Sequence, residues 1–380
     1  MISRIVSAGI QKTKKSILLL GPRQTGKSTL INGLAPDLSI NFAKEATLIE
    51  YAGNPDRLDE RIQETGSKTI LIDEVQKLPS ILNTVQALVD DDKNLKFYLT
   101  GSSARKLRRG GANLLPGRVI QYALGPIIAA ELDYDLEIKR GLRFGYLPEM
   151  VTNRNESENR EILSYYSASY LKEEIKAEAL TKSLDAFTRF LFQLAGVNAK
   201  FVDYTKLSAR AKISRHSCPN YFEIFEDTLL GYRIYPDPDL IERADLVKHP
   251  KFFFFDGGVY NGLVGNFDLS PERVGLLSEQ LAFSQIFHSA CVRKQNCEIF
   301  TFRTRGGLEV DFLVKLGGKY IPIEVKFSDN LGTHDVSALG EMKKYFPKAE
   351  PLLVHMGKRE RKISGIWALP LAAALRDMGL

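Results

Sequence analysis

At 380 residues, with 44% hydrophobic and 26% charged side chains, the chain has the length for two or three folded domains and a composition that excludes a wholly disordered protein. Its 52 Lys and Arg against 46 Asp and Glu give a net charge of +6, compatible with a nucleic-acid partner without requiring one. The longest apolar run, residues 366–375, is too short for a bilayer and contains Pro370, the N-terminus lacks a secretory pattern, and Cys218, Cys291 and Cys297 have neither disulfide-framework nor metal-ligand spacing. A cytoplasmic protein without a membrane partner is expected.

In chain order, the first chemical signal is Gly21-Pro22-Arg23-Gln24-Thr25-Gly26-Lys27-Ser28, followed by Thr29. It sits between an apolar run, 17–20, and a helix predicted over 28–34. Strand, G-x-x-x-x-G-K-[ST], helix is the context of a phosphate-binding loop. Glycines allow a tight turn whose N–H groups form an anion nest, and the helix start adds its positive dipole end. Lys27 supplies charge for the β- and γ-phosphates, and Ser28 supplies a hydroxyl for Mg²⁺. ATP and Mg²⁺ are therefore the expected cofactors.

Short apolar segments then alternate with helical ones, the pattern of an α/β sheet. A strand is predicted at 39–42, a helix at 57–65, and a buried strand at 69–72 running into Asp73 and Glu74. Asp73 is the candidate metal ligand and Glu74 the candidate that activates the attacking water; the pair could instead cap the next helix, predicted over 81–90. A strand at 96–100 leads to Ser102 and Ser103, candidates to sense the γ-phosphate, although small residues are common at turns. Basic residues crowd 104–109, and Arg118 precedes a strand at 119–124.

On GPRQTGKS, ILIDE and LTGSS, residues 1–150 resemble AAA+ ATPases of the archaeal-ATPase-like branch. The resemblance implies that Arg118 reaches the nucleotide of a neighbouring subunit, and hence a homo-oligomeric ring such as a hexamer. The competing reading makes Arg118 a cap of its own helix.

Residues 156–181 read as a long amphipathic helix with Tyr165, Tyr166, Tyr170 and Leu171 on one stripe, and 185–194 as a second helix. A short helix at 204–211, a turn at 212–214 and a longer helix at 215–230 form a helix-turn-helix layout before an extended segment. Lys206, Arg210, Lys212 and Arg215 are candidate DNA contacts, to phosphate rather than to bases. Such modules also dock proteins.

In the last third, a helix at 275–289 carries Glu279, and strands are predicted at 298–302, 308–315 and 320–327. Alternation sets Glu309, Asp311 and Leu313 against Leu308, Val310, Phe312 and Val314, and places Glu324 and Lys326 beside Asp311 on one face. Helix Glu, strand Asp, strand E-x-K resembles the PD-(D/E)xK nuclease fold. The likeness implies carboxylates holding Mg²⁺ and Lys326 positioning water; polar residues on an open sheet face are the alternative.

The whole chain thus resembles prokaryotic AAA+ ATPases with a winged helix and a DUF4143-type C-terminal domain. The expected fold class is α/β: a P-loop AAA+ ATPase core (1–150), a helical linker plus winged helix-turn-helix (151–250), and a PD-(D/E)xK nuclease-like domain (251–380). The expected function is ATP hydrolysis coupled to DNA binding or remodelling, with nuclease activity open. The alternative is a regulatory NTPase whose C-terminal modules bind proteins and whose nuclease-like domain is inactive.

Overall fold

The apolar runs of the first third form five strands: β1 (Ser16–Leu20), β2 (Leu38–Asn41), β3 (Thr69–Asp73), β4 (Lys96–Gly101) and β5 (Val119–Ala123). They make one parallel sheet in the order β2-β3-β4-β1-β5 in this computed structural model, which describes residues 2–102, 115–167, 184–328 and 330–380. Ser103, the basic segment 104–109, Tyr170 and Leu171 lie outside the described residues. The chain divides into two compact units, Met1–Gly125 with Asp227–Leu229, and Pro126–Glu226 with Leu230–Leu380.

In the first unit every residue of β1 is buried, as a strand covered on both faces must be. Helices α1 (Val6–Lys12), α2 (Lys27–Asn32), α3 (Glu45–Gly53), α4 (Arg57–Thr65) and α5 (Ile81–Asp91) follow the predicted segments closely, with α1 and α3 added. Leu58 and Ile62 of α4, and Ile81, Leu82 and Val85 of α5, join Leu18, Leu20, Ile70, Ile72, Phe97 and Leu99 in one core cluster. Each such side chain contributes about 1.5–3 kcal/mol by leaving water. Register aligns the strand ends: Leu20 pairs with Gly101, and Asn41 with Asp73. The residues that follow β1, β3 and β4 therefore gather at the carboxyl end of the parallel sheet.

In the second unit, helices Leu184–Ala195, Tyr204–Ala211 and Ser217–Asp227 are interleaved along the chain with a small antiparallel sheet. Its order is β6-β8-β7, with β6 (Lys200–Phe201), β7 (Gly231–Ile234) and β8 (Lys251–Phe254). Period-two alternation in β8 explains the phenylalanine run. Phe252 and Phe254 pack edge-on against Phe225, and Phe252 also against Phe222, on one side. Phe253 stacks on Phe283 at 4.4 Å and meets Phe312 at 5.5 Å on the other.

A six-stranded sheet, β13-β14-β12-β11-β10-β9, completes this unit. Its strands are β9 (Cys297–Arg303), β10 (Glu309–Leu316), β11 (Lys319–Lys326), β12 (Leu352–His355), β13 (Arg361–Ile363) and β14 (Ile366–Pro370). The strict alternation expected along β10 does not hold. Its pairing with β9 shifts register between Val310 and Leu313, a bulge that puts those two residues in one core cluster while Phe312 packs on Phe253 and Phe283.

Candidate functional site

The loop after β1 is held by three devices. Gly21 lies so close to Leu124 that an ideal Cβ would stand 2.1 Å from its carbonyl oxygen. Gly21 is thus required by crowding, not by its turn, because the left-handed positions of the loop are Gln24 (φ 59°) and Gly26 (φ 88°). The Thr25 hydroxyl donates to Pro22 O (2.8 Å). Arg4, from the start of the chain, donates to Thr25 O (2.7 Å) and Gly125 O (2.9 Å), and no local motif announced it.

Lys27 opens α2 and is buried, its ammonium donating to Gly21 O (2.8 Å) and Pro22 O (2.9 Å). Those carbonyls hold the charge at the mouth of the loop, where phosphate oxygens could replace them as acceptors. Ser28 follows, and its hydroxyl donates to both oxygens of Asp73, at 3.1 and 2.9 Å. Thr100 also donates to Asp73, and Asn41 Nδ2 lies 3.4 Å from it. Hydroxyl and carboxylate oxygens facing one another are hard donors and suit Mg²⁺. Pro22 is buried, Arg23 half-buried, and Gln24 and Thr29 exposed.

Glu74 takes a left-handed backbone (φ 58°, ψ 44°) at the end of β3, turning its side chain away from the strand direction. Gln76 Nε2 donates to Glu74 Oε2 and to Ser102 Oγ (3.0 Å), tying the carboxylate predicted to activate water to a predicted sensor. Gln76 was not legible in advance, because a glutamine two residues past an acid carries no motif. Arg118 makes a two-pronged contact with Asp90 on α5, Nε to Oδ1 at 2.9 Å and Nη2 to Oδ2 at 2.6 Å. That pairing holds the Asp90 carboxyl down at about 2.

In the second unit, Lys206, Arg210, Lys212 and Arg215 are all exposed on the helix Tyr204–Ala211 and the turn after it. Lys206 lies 3.5 Å from Asp203. The following helix, Ser217–Asp227, shows Asn220 and Glu223 to solvent and has no Lys or Arg.

Glu279, Asp311, Glu324 and Lys326 do come together. Glu279 lies on the helix Pro271–Arg293, Asp311 on β10, and Glu324 and Lys326 on β11. Lys326 Nζ bonds Glu324 Oε1 at 2.7 Å, and Asp311 Oδ2 accepts the Val325 N–H at 2.8 Å. A further residue stands among them. Lys251 of β8 places its Nζ 3.4 Å from Glu279 Oε2, 3.4 Å from Glu309 Oε1 and 3.6 Å from Asp311 Oδ1. Burial and the Asp311 charge raise the Glu279 carboxyl well above its usual range despite Lys251, and Glu324 likewise despite Lys326. Burial alone would lower Lys251, but Glu279, Asp311 and Glu309 outweigh it and keep the ammonium charged. Lys251 thus stands between the carboxylates of Glu279, Glu309 and Asp311, and a metal ion held by that trio would have to displace it. Among the described residues no group of three or more His, Cys, Asp or Glu is placed to hold a metal ion.

A five-stranded parallel sheet with a phosphate loop after one strand and acids after another defines a P-loop nucleotide-binding module of mixed α/β fold. Comparison with known families makes this specific. Residues 13–132 match the model described as an AAA domain, residues 136–270 a domain of unknown function (DUF8612), and residues 274–374 another (DUF4143). Three successive segments of the chain thus match known domain models, the AAA domain first and DUF4143 last. No curated protein matches it. Among solved structures it resembles the S. cerevisiae Hsp104-ADP complex at 10% identity and a TM-score of 0.29, over 76% of this chain and 42% of that one, a likeness too loose to locate function. Among the described residues no helix is long and apolar enough to cross a membrane.

Proposed function

We propose that this chain is a Mg²⁺-dependent ATP hydrolase whose turnover is coupled to DNA. The observation that carries the hydrolase reading is the Ser28–Asp73 contact, which joins the loop and the acid-ended strand across 45 positions of sequence. Ser28 and Asp73 would hold Mg²⁺, which when bound with ATP offsets charge on the phosphate oxygens. Lys27 moves from the Gly21 and Pro22 carbonyls to the phosphates, α2 presents its N-terminal N–H groups, and Glu74 orients and deprotonates the attacking water. Gln76 holds Glu74 until nucleotide arrives, and Ser102 reports through it. In a homo-oligomer Arg118 would exchange Asp90 for the neighbour's nucleotide.

The DNA part is supported by the exposed basic set Lys206, Arg210, Lys212 and Arg215, on the helix Tyr204–Ala211 and the turn after it; the next helix, Ser217–Asp227, and the small antiparallel sheet are compatible with a winged-helix reading. With no cation on the second helix, phosphate contact is favoured over base reading. Cleavage is left out of the proposal because Lys251 stands in the acidic cluster.

The test is ATP turnover with and without duplex, forked and four-way-junction DNA at several salt concentrations. Glu74→Gln should lose turnover by at least a hundredfold while still binding ATP; an unchanged rate removes Glu74 from the mechanism. DNA binding should weaken steeply as salt rises, and more so in the wild type than in Lys206→Ala/Arg210→Ala. If DNA neither binds nor alters turnover, the regulatory reading, with the C-terminal modules docking proteins, replaces this one.

A further inference from the structure

We propose that Lys251 is a tethered cation standing where a metal-dependent nuclease of this layout would need its divalent ion, so that the acidic cluster of the DUF4143 domain is neutralised by the chain itself and takes up no metal. This goes beyond the ATPase reading and does not depend on it.

The position of Lys251 is set by its strand. β8 lies between β6 and β7, and Lys251 pairs with Phe201 on one side and Ile234 on the other, so its backbone cannot slide. Period-two alternation puts Lys251 on the same side of β8 as Phe253, whose ring stacks on Phe283 of the helix that carries Glu279 and touches Phe312 of the strand that carries Asp311. The ammonium is thereby delivered among the carboxylates by packing, and the whole side chain is only 4% exposed. The ammonium donates a hydrogen bond to Glu279 Oε2 and stands within ion-pair distance of Glu309 and Asp311 as well, so three carboxylates surround one positive charge.

Other oxygens of the cluster are engaged too. Lys326 takes Glu324, Arg303 Nε lies 3.5 Å from Glu309, and the second oxygen of Asp311 accepts a backbone N–H where the β10–β11 pairing stops at Phe312 and Ile323. A divalent ion needs several hard oxygens at roughly 2.0–2.6 Å. Here it would have to displace a buried ammonium that also lies over the Phe201 ring, 5.4 Å from its centroid. The sequence pattern of helix Glu, strand Asp and E-x-K is intact, yet the cation that completes it is covalent.

The experiment is Mn²⁺ titration of the nucleotide-free full chain by calorimetry and by electron paramagnetic resonance. The wild type and Asp311→Asn should bind Mn²⁺ alike, because the cluster holds none. Lys251→Met, which keeps the stem and removes the charge, should gain one Mn²⁺ site at least tenfold tighter than any the wild type has, and lose it again in Lys251→Met/Asp311→Asn. A wild-type Mn²⁺ site abolished by Asp311→Asn would overturn the proposal, as would a folded Lys251→Met that gains no site. Should Lys251→Met fail to fold, the wild-type and Asp311→Asn pair decides alone. Failure here leaves ATP turnover untouched, so it is distinguishable from failure of the hydrolase reading.

Discussion

Replacing Gly21 with alanine tests the close packing that positions the nucleotide loop. An ideal Cβ there lies 2.1 Å from Leu124 O and 3.2 Å from Thr25 Oγ1. Restoring an ordinary carbon–oxygen contact requires a displacement of at least about 1.3 Å. The obstacle is backbone, and it is held: Leu124 N donates to Leu20 O at 2.8 Å, and Leu20 pairs with Ala123 in the β1–β5 ladder. Overpacking costs about 1–3 kcal/mol, and with a backbone obstacle the upper end, about 3 kcal/mol, is expected. The same displacement carries Thr25 to Ser28 with it, so ATP affinity should fall at least tenfold. Gly53→Ala is the control. Its Cβ would meet nothing within 4 Å at the end of α3, so it should be neutral or stabilising by up to about 1 kcal/mol. Urea unfolding by circular dichroism gives the stability change, and titration with a fluorescent ATP analogue gives the affinity. A Gly21→Ala protein with an unchanged urea midpoint and ATP affinity within twofold of wild type refutes the reasoning.

Arg4→Ala removes two donors from the buried carbonyls of Thr25 and Gly125, and should cost about 2–4 kcal/mol in urea unfolding while weakening ATP binding; equal stability would show that water replaces the guanidinium without loss. Asp256 caps the helix Gly257–Val264 and accepts N–H bonds from Gly258 (2.8 Å), Val259 (3.1 Å) and Tyr146 (2.8 Å), yet burial raises its carboxyl from 3.8 to about 6. Between those values the folded chain binds a proton that the unfolded chain has released, so this site's stability is present at low pH and is lost as pH rises through about 6, by about 3 kcal/mol. The stability of the wild type minus that of Asp256→Asn in urea should therefore fall as pH rises from about 4 to about 7; a difference that is constant or rises with pH contradicts the burial of that charge.

The nucleotide loop, the acid-ended strand and the order helix Glu, strand Asp, E-x-K were legible because each is a local signal: a few residues whose spacing maps directly onto one turn, one strand end or one strand face. The helix Arg57–Thr65 and the helix Tyr204–Ala211 were legible to the residue, since period 3.6 and flanking stops are also local. The β10 bulge was not, because a register shift depends on the partner strand and leaves the apolar and polar residues of β10 themselves unchanged. Nor were the long-range partners. Arg4 reaches Thr25 and Gly125, Thr100 reaches Asp73, and Gln76 bridges Glu74 and Ser102 only because the strand order β3-β4-β1-β5 lays these ends side by side. Lys251 is the sharpest case. By itself it is one lysine before four phenylalanines; the packing of Phe253 against Phe283 and Phe312 turns it into the cation at the centre of the acids. Sequence determined which groups the protein possesses, and tertiary structure decided which of them are already paired, because pairing depends on strand order and register that no periodicity encodes.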